Sequence, residues 1–547
     1  MNNRFLKGAM ILSVSMFLTK FMGILYIIPF QQLVGPSGIA LYQYAYIPYS
    51  LFISLSTLGI PVGIAKFISK YNAVGEYDTS RKMFRYGVYF MLVLGLVGFL
   101  ILYNIAPFYA QHVLAGNEKL INSVEDVTKA IQTVSFALLV IPVMAIFRGF
   151  FQGNQNMVPT SVSQFLEQLF RIILILVGSY VIIHLNGGTV EDAVSFSVFS
   201  AFLSGILALG VLCGYWRKNV KHYNELYKQS VEHEPREYGK LFVELISYAI
   251  PFAILGLMTS LLQLVDQSTY NYYMIQGGFP VEDVETALGI YSGNLYKIIM
   301  IPVSFAIAFG QPLIPELTHA LTSGKMEDVK KNIKLAIGLT TSITLPAVVG
   351  MSILAKPIYI LFFNSSVPGI NEMGTEIFTT GAFLGLFMAL YSIVTAILQG
   401  IGGQWYGIVF LVISLIIKYI GNVMLIPILY SNGATLSTIL AYVFCVGASL
   451  IVIKRKTGFK TRTLGKEVMP MVMASIMMGM IVVFLKTVLG AFFHSQTGMF
   501  YALGTIAMTG IVGVIIYFVL SNYLGTIEKL MGSKMTLSTI MKKVKRR

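Results

Sequence analysis

The chain has 547 residues, of which 56% are hydrophobic and 12% charged, with a mean hydropathy of +0.75. That balance excludes an ordinary soluble enzyme and describes a polytopic membrane protein. The net charge of +15 would suit a nucleic-acid binder, but its placement in the loops requires no such partner.

Apolar stretches of about 20 residues, each long enough to cross ~30 Å of hydrocarbon as a helix, recur along the chain. A β-barrel would show ten-residue alternation instead. The first stretch follows Arg4 and Lys7, is longer than a signal-peptide core and carries Lys20. It reads as a retained first helix. Fourteen spans follow in order, at roughly 8–34, 39–70, 86–114, 127–153, 157–185, 190–216, 241–276, 286–318, 332–360, 375–401, 404–429, 432–453, 468–490 and 498–524. With the N-terminus in the cytoplasm, the inner loops collect Arg81, Lys82 and Arg85, then Arg217 to Lys240, Lys325 to Lys334 and Lys454 to Lys466. The tail ends KKVKRR, while the outer loops hold little beyond Lys119. This positive-inside asymmetry accounts for the net charge and places both termini in the cytoplasm. The two cysteines, Cys213 and Cys445, lie in apolar segments and build no disulfide framework.

The chain repeats itself. Gln152-Gly153 closes one span and Arg171 follows 19 positions after the glutamine; Gln399-Gly400 and Lys418 repeat this spacing. Pro107 answers Pro357, Pro61 answers Pro312, and the turn at Gly75 answers that at Gly324. Each unit holds an even number of helices, so the repeats are parallel. The expected architecture is all-α, with about 14 transmembrane helices. Two parallel six-helix repeats surround a central cavity, and two C-terminal helices are added. The expected divisions are a lobe over 1–216, a cytoplasmic linker over 217–240, a second lobe over 241–453, two extra helices over 454–525 and a basic tail over 526–547.

Charges deep in these spans are costly, at least ~2.5–3.5 kcal/mol each on insertion scales, so they call for a wet cavity or a partner. Lys20, Glu167, Arg171, Lys297 and Lys418 are the deep set, with Asp266 late in span 7. Glu167 and Arg171 are four residues apart on one helical face and can neutralise each other. Arg148, near the inner end of span 4, has the plain reading of reaching to the interface. Asp266 suits an ion site or a partner for a second-lobe lysine. The tyrosines of span 2, Tyr42, Tyr44, Tyr46 and Tyr49, with Gln43, read equally as substrate hydrogen-bonders or as an interfacial belt. The deep set is net cationic, which implies an anionic substrate. No GxxxxGK[ST] segment and no metal-type histidine spacing occur, so no cofactor or metal is expected. A gradient, the membrane potential or the substrate's own concentration difference must then supply the energy.

Several stretches carry a resemblance: TKFMGILYIIPFQQLVGPSGIALYQYAYIPY from Thr19, GIPVGIAKFISKYNAVGEYDTSRK from Gly59, RGFFQGNQNMVPTSVSQFLEQLFRI from Arg148 and YKIIMIPVSFAIAFGQPLIPEL from Tyr296. Over essentially its whole length the chain resembles the multidrug/oligosaccharidyl-lipid/polysaccharide exporter superfamily. It is most similar to the MurJ-type lipid II flippases of Gram-positive bacteria and the SpoVB-like proteins grouped with them. The resemblance implies a transporter of the bacterial cytoplasmic membrane, not an enzyme. Such a protein moves an undecaprenyl-diphosphate-linked saccharide-peptide from inner to outer leaflet by alternating access, with membrane lipids and cell-wall synthesis proteins as further partners. It implies headgroup contacts for Lys20 and Lys297, to which Arg148, Glu167, Arg171 and Gln43 are added as candidates. It also implies a tail groove formed by the last two spans. Some relatives bind sodium through acids of helices 7 and 11. Asp266 matches the first, but helix 11 offers Lys418 and Asn422, so the expectation is that Lys418 replaces the ion. The alternatives are a flippase for another polyprenyl-linked glycan and a drug/cation antiporter of the same superfamily.

Overall fold

The computed structural model describes residues 25–57, 60–114, 119–231, 253–492 and 498–525, with scattered positions at 15, 18–19, 22–23, 243 and 250–251. Every regular element among them is helical. Eleven helices among the described residues are long and apolar enough to cross a membrane. The remaining expected crossings fall on spans 1, 2 and 7. Span 1 lies mostly outside the described residues, as do Lys20 and the basic tail over 526–547. The chain separates into two compact units, Met1–Gly293 and Asn294–Arg547.

The first unit begins with α1 (Ile27–Thr57), which bends at Gly35, where φ is 69°. Glycine tolerates that left-handed value and Pro36 follows it, so the junction of the first two expected spans is a kink within one helical run. The second part of span 2 is α2 (Ile60–Ala73). α3 (Tyr77–Val113) faces lipid with Val93, Leu96 and Ile101, and turns Gly87, Met91, Gly95 and Leu102 inward. A Cβ on Gly95 would lie 2.5 Å from the Leu138 carbonyl oxygen. The glycine is what lets the two backbones touch, the usual role of small residues between membrane helices.

Span 4 divides into α4 (Val124–Ser135), a 3₁₀ turn over Phe136–Leu139 and α5 (Ile141–Gly153). α4 starts with a reciprocal capping box, in which the Asp126 N–H donates to Ser123 Oγ (3.2 Å) and the Ser123 N–H to Asp126 Oδ2 (3.0 Å). α6 (Val158–Tyr180) continues through a π segment, Val181–Leu185. α7 (Val190–Lys228) has 39 residues, about 58 Å of helix and far more than a bilayer core needs. The first part of the expected linker over 217–240 continues this helix as far as Lys228. The cause is aromatic packing. Trp216 stacks on Phe84 at 4.9 Å and Tyr223 meets Phe150 edge-on at 5.1 Å. The Val231 N–H donates to the Gly75 carbonyl (3.1 Å), which ties the end of this extension to the turn before α3.

The first unit closes with α8 (Met258–Gln276) and α9 (Val281–Leu288). Both pack on α1 and fall within the unit Met1–Gly293.

The second unit contains α10 (Tyr296–Thr322), α11 (Met326–Ile353), α12 (Ala355–Phe363), α13 (Ile370–Gly381), α14 (Leu384–Gly400), α15 (Gln404–Leu429), α16 (Ser431–Thr457), α17 (Thr461–Phe492) and α18 (Met499–Tyr523). One of its breaks mirrors the first unit and another does not. Expected span 10 divides between α13 and α14 as span 4 divides between α4 and α5. Expected span 9 is interrupted at Leu354, with Pro357 in the first turn of α12. α15 and α16 form a tight hairpin, where a Cβ on Gly433 would lie 2.3 Å from the Leu425 carbonyl oxygen.

Candidate functional site

In the first unit a single carboxylate lies between two guanidinium groups. Glu167 Oε1 accepts from Arg171 Nη2 at 2.5 Å, and Glu167 Oε2 accepts from Arg148 Nη2 at 2.8 Å. Glu167 and Arg171 are one helical turn apart on α6, as their spacing predicts. Arg148 comes from α5. Its Nε donates to Ser163 Oγ (3.0 Å), and Arg171 Nε donates to Ser204 Oγ (3.3 Å). The three side chains are 13–19% exposed. Arg148 therefore does not reach out to the interface. It turns inward because Glu167 and Ser163 offer it charge-assisted partners in a poorly hydrated place. Two cations against one carboxylate leave one net positive charge on the cluster.

Tyrosines of α1 surround that charge. Tyr42, Tyr46 and Tyr49 share one helical face, with ring centroids 5.6 Å and 6.0 Å apart in succession, and all three interact electrostatically with Arg171. Tyr42 and Tyr49 are buried. The belt reading is thus corrected: these rings line the inside of the unit and do not sit at its lipid interface.

Gln43, expected to contact substrate, is occupied elsewhere. It is buried, its Nε2 donates to the Ser292 carbonyl (2.7 Å), and its own carbonyl accepts from Gln267 Nε2 (2.7 Å). It belongs to a polar seam that fastens α8 and α9 to α1. Tyr109 OH donates to Gln267 Oε1 (2.6 Å), and Asn271 Nδ2 donates to Tyr44 OH (2.6 Å) and the Val113 carbonyl (2.8 Å). Glu285 accepts from the Asn122 backbone N–H (2.8 Å) and from Asn122 Nδ2 (3.0 Å). Asp266 is buried and accepts from Tyr291 OH (3.0 Å). Inspection of the sequence missed Gln267, Asn271, Asn122 and Glu285. The available signal was the pair of amides Gln267 and Asn271, four residues apart on one face of α8.

In the second unit Lys297 is partly buried in the first turn of α10, directly after a seven-residue π segment, Gly289–Leu295. Such π insertions are concentrated at functional positions. Lys418 is fully buried. Its ammonium donates to the Ala434 carbonyl (2.8 Å), Ser437 Oγ (3.1 Å) and Thr438 Oγ1 (2.5 Å), all on α16. Ser437 Oγ in turn bonds Asn422 Oδ1. Lys418 and Asn422 are thus brought together through Ser437. The lysine counted among the cavity cations is committed to the α15–α16 hairpin.

The same unit carries an apolar groove of about 540 Å³ between α11, α17 and α18. Leu339, Pro346 and Leu354 form one wall, and Met478, Gly513 and Tyr517 the other.

The helical breaks, the two units and the buried charges define a polytopic membrane transporter. The same fold is seen at TM-score 0.66 in a solved structure of "Lipid II flippase MurJ, inward closed conformation", with 14% identity over 94% of this chain and 99% of that one. An inward-facing multidrug resistance MATE family transporter of the MOP superfamily matches at TM-score 0.62, with 15% identity over 81% of this chain and 95% of the other. In sequence, residues 5–320 match the profile of the family described as "Polysaccharide biosynthesis protein". Lipid II flippase MurJ of Bacillus subtilis (strain 168) is 36% identical over 98% of both chains. The chain belongs to this family, as a MurJ homologue within the MOP superfamily of membrane transporters.

Proposed function

We propose that the chain carries lipid II, an undecaprenyl-diphosphate-linked saccharide-peptide, from the inner to the outer leaflet of the cytoplasmic membrane. In this reading it works by alternating access between two six-helix lobes, with both termini in the cytoplasm. The observation that carries the reading is the Arg148–Glu167–Arg171 cluster, which holds a net positive charge among apolar helices. A diphosphate headgroup cannot cross hydrocarbon unaided, because its polar groups lose their hydrogen bonds to water. Partly buried guanidinium groups replace those bonds and match phosphate geometry in pairs. Phenols of Tyr42, Tyr46 and Tyr49 add neutral donors beside Arg171. Lys20 and Lys297 add further cations along the route, while the groove between α11, α17 and α18 takes the polyprenyl tail. Asp266, Lys418 and Asn422 are the polar groups of the coupling step. An inside-negative potential assists outward passage of an anion by ~2.3 kcal/mol per charge per 100 mV.

The test is depletion of the protein in cells lacking other flippases, followed by analysis of inner-leaflet lipid intermediates. Lipid II should accumulate, and Arg171→Glu or Lys297→Glu should fail to restore growth. Accumulation of a different polyprenyl-linked glycan would assign that glycan as the cargo. Full rescue by both variants would remove these side chains from the pathway.

A further inference from the structure

At one end of the apolar groove, where α11 stops and α12 begins, two lysines meet. Lys486 of α17 donates its ammonium to the Ile353 carbonyl (2.7 Å), one of the last carbonyls of α11. Lys356 lies in the first turn of α12, near enough for its charge to act on Lys486. Leu354 and Ile358, on either side of Lys356 in sequence, line the groove itself. Both lysines are partly buried, and neither makes an ion pair among the described residues. The opposite end of α11 is different. There Lys334 is neutralised by Glu467 at 2.5 Å, beside the basic loop that begins at Lys325.

We infer that Lys356 and Lys486 form a diphosphate-binding site at the outer mouth of the groove, which holds a polyprenyl diphosphate lipid in the outer leaflet after translocation. This deepens the function proposed above and rests on it and on its inside-positive orientation. Two features select the occupant. A pair of unneutralised ammonium groups matches a diphosphate better than a phosphodiester with a single charge. The groove wall from Leu339 to Leu354 covers 15 residues of α11, about 22 Å of helix, against ~15 Å for one leaflet of hydrocarbon. A polyprenyl chain can follow such a wall past the midplane, whereas the acyl chain of an outer-leaflet phospholipid ends near it. The backbone carbonyl of Ile353 holds the Lys486 ammonium in place but removes none of its charge, so the site is fixed before ligand arrives.

The test places a reporter at the site. Full-length protein with Cys213→Ser and Thr487→Cys, an exposed position next to Lys486 that leaves both lysines in place, is reconstituted in vesicles, and the introduced thiol is reacted with a membrane-impermeant maleimide. Cys445 is buried and serves as the unreactive background. Undecaprenyl diphosphate should slow modification severalfold, while the same amount of phosphatidylglycerol should not. Adding Lys486→Gln should weaken that protection about tenfold, the loss expected for one charge-assisted contact. Equal rates with and without undecaprenyl diphosphate, when native mass spectrometry shows the lipid retained by the protein, would overturn the outer site alone. Equal protection by phosphatidylglycerol would assign the site to a phospholipid and also overturn it. A protein that retains no undecaprenyl diphosphate would overturn both this site and the proposed cargo.

Discussion

Glu167→Gln is the most informative single change in the cluster. The glutamine keeps the shape of the carboxylate but removes its charge and one of its two strong acceptors. Arg148 and Arg171, 14% and 19% exposed, are then left as neighbouring cations with no carboxylate between them. Stranding a buried charge costs about 3–5 kcal/mol, and the residual exposure here brings the expectation to about 3 kcal/mol. Arg171→Gln leaves the Arg148–Glu167 pair intact and should cost less, about 1–2 kcal/mol. The double variant Glu167→Gln/Arg171→Gln should cost less than the sum of the two, with a coupling of about 1–3 kcal/mol. Thermal unfolding of the purified protein in detergent gives the order of the three. Binding gives an independent axis. Glu167→Gln raises the net charge of the cluster from one to two and should hold a diphosphate lipid at least as well as the parent, despite its lower stability. Arg171→Gln removes the net charge and should weaken binding about tenfold. If Glu167→Gln unfolds like the parent, the geometry of the cluster is wrong. If both variants lose binding equally, the cluster braces α5 against α6 and does not attract the headgroup.

Lys418→Met should destabilise the second unit by about 2–4 kcal/mol in the same assay, because Ala434, Ser437 and Thr438 each lose a buried donor. Gly433→Ala should cost about 3 kcal/mol and reduce the yield of folded protein in size-exclusion chromatography, since the new methyl group meets the Leu425 backbone at 2.3 Å, which cannot swing aside. Ser123→Ala should cost about 1 kcal/mol through loss of the α4 cap. Lys129→Ala, which breaks an exposed ion pair with Asp192, should stay below about 1 kcal/mol in the same measurement.

Local patterns were legible because their physics is local. Hydropathy over 20 residues marks a crossing wherever the helix packs, and a four-residue spacing puts Glu167 and Arg171 on one face whatever surrounds them. The MurJ-type family was also readable from the chain, since its motifs lie in continuous stretches.

What only the tertiary structure decided were the partners that come from other helices. Arg148 joins Glu167 because α5 and α6 present those faces to each other, a rotation that hydropathy does not encode. Gln43 and Lys418 look alike in sequence, as polar groups stranded in apolar runs, yet one fastens α1 to α8 and the other fastens α15 to α16. Those rotations are set by close backbone contacts, such as Gly95 against Leu138 and Gly433 against Leu425. A membrane helix has no wet side to fix its azimuth, so its neighbours determine which way each buried polar group points.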